Sequence, residues 1–164
     1  MVVTAGWFGL AHAHAFGGIT KDETAYPIDY LTDTIKISLH ESTYTPDKDA
    51  HDFWDDCTHE CSGTGYTSGG ATIGGTGAAP GTKTLAYNAT THVLTFDAND
   101  VSWTAGASWS GSKPRCAIIY KVLTDAAHSP LMGYINFGAD VSVDTGQILT
   151  ITFSSSGILA MSPS

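Results

Sequence analysis

Apolar and polar residues alternate along most of this chain. In "DTIKISLHES", Ile35, Ile37 and Leu39 fall on one face while Lys36 and Ser38 fall on the other, the period of a half-buried strand. "KTLAYNATTHVLTF" reads as two strands joined around "NATT". Leu85 and Tyr87 mark the first arm. In the second arm Leu94 and Phe96 point one way, Val93 and Thr95 the other. A turn and a short strand around Trp103 follow. "RCAIIYKVL" is apolar on both faces, which predicts a strand central in its sheet. "PLMGYINFG" opens on a proline suited to the first residue of a strand, and "QILTITFSSSGILAMS" supplies one long strand and a short terminal one. Only "PDKDAHDFWDDC" departs from this period. There Ala50, Phe53, Trp54 and Cys57 have the spacing of a short helix, with Asp47 or Asp49 as its cap. Eight to ten short strands separated by frequent turn signals predict an all-β fold, a small β-sandwich or partly open barrel.

Residues 1–28 show no sustained period. Trp7, Phe8, Leu10 and Phe16 are interspersed with glycine and alanine, too many for a stable isolated helix. They predict an extended N-terminal arm, ahead of a β domain at 29–164, that packs on a neighbouring subunit and orders only there. The start lacks the basic residues of a signal peptide and is interrupted by His12 and His14, so the segment is expected to be retained.

Composition narrows the function. The 164 residues carry a net charge of −9 with only seven Lys and Arg, which disfavours nucleic acid and anionic membranes as partners. No apolar run approaches the roughly 20 residues of a membrane-spanning helix. Charged residues make up 14% of the chain, a low share that suits a β-rich assembly protein whose surface is covered by neighbours.

The run "ECSGTGYTSGGATIGGTGAAPG" raises the question of a phosphate loop. Such a loop needs a Lys and a following helix, and here no Lys follows the glycines until Lys83. The dinucleotide pattern fails at Ser68, where its third glycine belongs. A strand edge remains, in which Gly63 and Gly65 permit close backbone approach and Tyr66 is the anchor. The half "GGTGAAPGT" reads as an exposed loop.

Other candidate chemistry is weak. Cys57, His59 and Cys61 share one face if extended but lack the ligand spacing of a zinc site, and free thiols are the plainer expectation. Asp47, Asp49, Asp52, Asp55 and Asp56 lack the spacing of a calcium loop. His51 beside Asp49 or Asp52 has no nucleophile in a recognisable setting. Trp54, Trp103, Trp109 and Tyr66 are expected as core or interface anchors before sugar-stacking platforms. The expectation is therefore no catalytic residue, no metal and no cofactor.

"DTIKISL", "YTPDKDAHDF", "ECSGTGYTSGG", "FDANDVSW", "RCAIIY", "PLMGYINFG" and "GILAM" occur in this order over residues 29–161. In that series the chain resembles a family of small virion proteins of tailed bacteriophages. The first 28 residues and a longer loop after "GGATI" depart from the family pattern. So do the cysteines and most histidines, which argues against a shared metal site. The resemblance implies a structural role, foremost as a capsid decoration or cement protein on the outer surface of the major capsid protein shell. It would sit there as a homotrimer, made in the host bacterial cytoplasm. Its expected contact residues are Trp7, Phe8, Leu10, Phe16, Gly63, Gly65 and Tyr66. The competing class is a tail, fibre or baseplate component, including an adhesin for a host glycan.

Overall fold

The computed structural model describes residues 3–10, 13, 26–74 and 83–162. Its strands are β1 (Thr4–Trp7), β2 (Ile35–His40), β3 (Ala71–Thr72), β4 (Lys83–Asn88), β5 (Val93–Ala98), β6 (Val101–Thr104), β7 (Cys116–Lys121), β8 (Leu131–Asn136), β9 (Ile148–Ile151) and β10 (Leu159–Met161). They form three open sheets, of order β1-β8-β7-β2-β3, β10-β5-β4 and β6-β9, with every pairing antiparallel. The fold is all-β, as the alternation predicts, and the sheets do not close into a barrel.

One core joins all three sheets. Ile35, Ile37 and Leu39 of β2, Ala117 and Ile119 of β7 and Met132 of β8 pack with Phe96, Leu159, Trp103 and Ile151 from the two smaller sheets. The opposite face of the five-stranded sheet carries a second core of Phe8, Tyr44, Cys116, Ile118, Tyr120 and Leu131. Strand β7 is thus buried on both faces and central, flanked by β8 and β2.

Strand β2 departs from its half-buried pattern. Ser38 and His40, on its polar face, are fully buried. The loop of residues 41–60 folds over them, bringing Tyr44, Trp54 and Cys57 against the second core. The expected helix in that loop shrinks to a 3₁₀ turn at Trp54–Asp56. The reason is that residues 52–54 are held extended against 129–131. Leu131 N–H donates to Asp52 O (2.8 Å), Trp54 N–H donates to Ser129 O (2.9 Å), and Phe53 bridges Pro130. Backbone partners outside the segment outcompete its local helical ones.

Residues 4–8 are extended and dock on the chain's own sheet, where the sequence suggested a neighbouring subunit, and Gly9 and Leu10 turn into helical conformation. Strand β1 pairs with β8, Trp7 is half-buried, and Phe8 is fully buried with its N–H donating to Met132 O (3.1 Å). Leu10 is half-buried. Phe16 and residues 75–82 of the glycine-rich stretch lie outside the described residues.

Candidate interaction surface

The glycine run is the first candidate, and it is organised around one carboxylate. Glu60 Oε1 accepts from the Tyr66 hydroxyl and from Gly69 N–H, both at 2.6 Å, and its Oε2 accepts from Ser68 Oγ at 2.9 Å. The Tyr66 hydroxyl in turn accepts from Leu39 N–H (3.0 Å), and the Tyr120 hydroxyl donates to Gly69 O (2.8 Å). The Tyr66 ring is half-buried, 6.2 Å from both Trp103 and Trp109. Gly63 lies under Trp109, where a Cβ would sit 2.5 Å from Cδ1. Only Ala71–Thr72 form the expected strand edge; residues 60–70 are a series of turns pressed on the sheet. Three of the loop's amides already have acceptors. Tyr66 N–H donates to Gly63 O, Gly70 N–H to Thr67 O and Gly69 N–H to Glu60. The Glu60 carboxylate lies among these turns, so their electrostatics oppose a phosphate. Gly63, Gly65 and Tyr66 are therefore engaged within the fold.

The loop covering β2 holds a buried polar chain. Thr58 O can only accept, so His40 Nδ1, 2.8 Å away, carries the proton. Its Nε2 is then the acceptor for Ser38 Oγ (2.9 Å), which itself accepts from Trp54 Nε1 (3.3 Å). The Tyr44 hydroxyl lies 3.1 Å from His51 Nδ1 and 3.3 Å from Cys57 Sγ. Burial holds the His40 ring below its ordinary range. Its bond to Thr58 O and the Glu60 charge only partly oppose this, and His59 adds to the lowering. Burial likewise pushes the Cys57, Cys61 and Cys116 thiols up to about 12, which leaves them protonated at neutral pH. The acidic loop is equally engaged in structure. Asp47 Oδ1 accepts from Asp49 and Ala50 N–H, and Asp56 Oδ2 accepts from Asp52 N–H (3.0 Å). Among the described residues no group of three or more His, Cys, Asp or Glu is placed to hold a metal ion.

A pH dependence follows from His40. Its folded-state pKa is depressed, so its contribution is complete above the unfolded value near 6.5 and is lost as the pH falls below it. Stability should decline over the pH range below about 6.5 with a slope of up to about 1.4 kcal/mol per pH unit from this ring. Urea midpoints measured across that range check it. His40→Gln should be less stable at pH 7.5 but show a flatter dependence, and an unchanged slope would exclude His40 as the source.

What remains open is a surface on the three-stranded sheet. Register places Leu85, Phe96 and Leu159 side by side, and next to them Tyr87, Leu94 and Met161. Cross-strand partners share a face and so do residues two apart, so all six lie on one face. Phe96 is 0% exposed and Leu159 6%, but Leu85 is 38% and Tyr87 61% exposed. The apolar face therefore runs off the core toward β4, whose outer edge faces no strand among the described residues. The hairpin pattern made this face legible, since Leu85 and Tyr87 alternate in phase with Leu94 and Phe96. Its overhang was not, because exposure depends on where the other sheets end.

An opening of about 430 Å³ lies along β1. Trp7, Ile119, Ile135, Phe153 and Ile158 contribute to its lining. Among the described residues no helix is long and apolar enough to cross a membrane. No family model, curated protein or solved structure matches the chain.

Proposed function

We propose that this chain is a capsid decoration protein of a tailed bacteriophage, bound to the outer surface of the major capsid protein shell and stabilising the head. The observation that carries this reading is the apolar face of the three-stranded sheet, which runs from the core out to exposed Leu85 and Tyr87. It is an assembly surface on a chain with few charges. The elements behind the family resemblance support it in a second way. "GTGYTSGG" forms the turns around Glu60, "YTPDKDAHDF" covers the second core, and "RCAIIY" and "PLMGYINFG" contribute the two adjacent strands β7 and β8. Such elements specify a scaffold and leave recognition to its exposed edges. A decoration protein gains from many weak contacts repeated over the shell.

Copy number tests this reading. In purified particles the chain should be present in the hundreds, in fixed proportion to the major capsid protein, and the purified chain should rebind expanded heads stripped of it. A low copy number, or recovery with isolated tails, would assign it to the tail, fibre or baseplate instead.

A further inference from the structure

We infer that the outer edge of β4, which faces no strand among the described residues, is a self-association site, joining two copies of this chain into one continuous six-stranded sheet. The inference stands on the edge itself and does not rest on the virion reading. A solvent-facing edge strand is ordinarily defended by inward charges, proline or a bulge. Over its six residues β4, "KTLAYN", has no proline, no acidic residue and no interruption of its pairing with β5. Its one charge, Lys83, is tied down by donating to Asp33 O. Alternate residues of this strand therefore present N–H and C=O groups outward beside exposed Leu85 and Tyr87.

The occupant that fits is another β4. The edge calls for an extended segment with apolar side chains at alternate positions on the core-side face and small or polar ones on the other. Leu85 and Tyr87, alternating with Thr84, Ala86 and Asn88, meet that requirement. A two-fold axis perpendicular to the sheet keeps the apolar faces of both copies on the same side. With Ala86 on the axis, Leu85 of each copy lies opposite Tyr87 of the other, and Thr84 lies opposite Asn88. Charge agrees with this choice. Copies of a chain with net charge −9 repel one another, and β4 is a strand free of acidic residues along which they can approach. Such a contact is isologous and closes at two copies. It does not build the trimer implied by the family resemblance, so mass separates the two.

Sedimentation equilibrium of the purified full chain tests this. The unmodified chain should approach the mass of a dimer as its concentration rises. Leu85→Lys and Tyr87→Lys alter exposed side chains, so folding should survive. Each should weaken the dimer about tenfold or more. Val3→Lys, an exposed position just before the edge strand β1 of the five-stranded sheet, should leave it unchanged. A positive readout comes from Ala86→Cys. Directly opposed strand residues are about 4.5–5.5 Å apart between Cα atoms, within reach of a disulfide. That variant should cross-link rapidly to a dimer under a mild oxidant, and Val3→Cys should not. A chain monomeric at every concentration would overturn the proposal. So would an oligomer whose mass is unaffected by Tyr87→Lys, or equal cross-linking of both cysteine variants.

Discussion

Phe8→Ala is expected to lower the unfolding free energy by about 3–5 kcal/mol, the range for emptying a fully buried phenylalanine site. The ring lies edge-on to Tyr134, with centroids 5.6 Å apart, inside the second core. Its neighbours cannot easily fill the space. Phe8 N–H is fixed to Met132 O, Gly9 N–H is fixed to Lys48 O at 2.8 Å, and Tyr134 lies close over Gly6. Deleting residues 1–10 should cost still more, because it strips β1 from β8 and uncovers the second core. Urea midpoints of both variants give the answer. A truncated chain with the midpoint of the full chain would show that this segment contributes nothing to the domain and is an arm for a neighbour alone.

The all-β class was legible because period-two alternation depends only on which face of a strand meets the core. Thus Ile35, Ile37 and Leu39, and both faces of β7, emerge directly from their spacing. The fate of the N-terminal segment was not legible. Trp7 and Phe8 are as apolar in a detached arm as in a docked edge strand, and only the vacancy beside β8 decides between them. The burial of Ser38 was not legible for the same reason, and His40 beside it carried no signal of its own. A polar side chain alternating with isoleucines signals solvent unless a distant loop supplies its partners, as Thr58 and Trp54 do here. Glu60 gave no sequence signal as the organiser of the glycine run. One carboxylate among sixteen acidic residues is singled out only by the turns that bring Tyr66, Ser68 and Gly69 to it. Tyr66, in contrast, stood out as the one aromatic residue in a stretch of small ones.

Gly65→Ala and Gly70→Ala are expected to destabilise the fold by at least the roughly 1–3 kcal/mol of a non-glycine residue held in a disfavoured backbone region. Gly65 has φ +95° and Gly70 φ +75°. In each case an added Cβ would sit 2.0 Å from a carbonyl oxygen, Thr104 O for Gly65 and Ile37 O for Gly70. Both oxygens belong to strands, so relief would require strand backbone to move. Tyr66→Phe probes the same turns without changing their shape. It removes the hydroxyl shared by Leu39 N–H and Glu60 Oε1, which predicts a loss of about 1–3 kcal/mol where those groups stay partly shielded from water. Gly111→Ala is the control, since a Cβ there meets nothing within 4 Å, and it should change stability by no more than about 0.5 kcal/mol. Thermal melts of the four variants distinguish packed turns from a connecting loop. If Gly65→Ala and Gly70→Ala melt with Gly111→Ala, the run merely links strands. If they melt well below it, the glycines are there because the sheet's own backbone passes too close for any side chain.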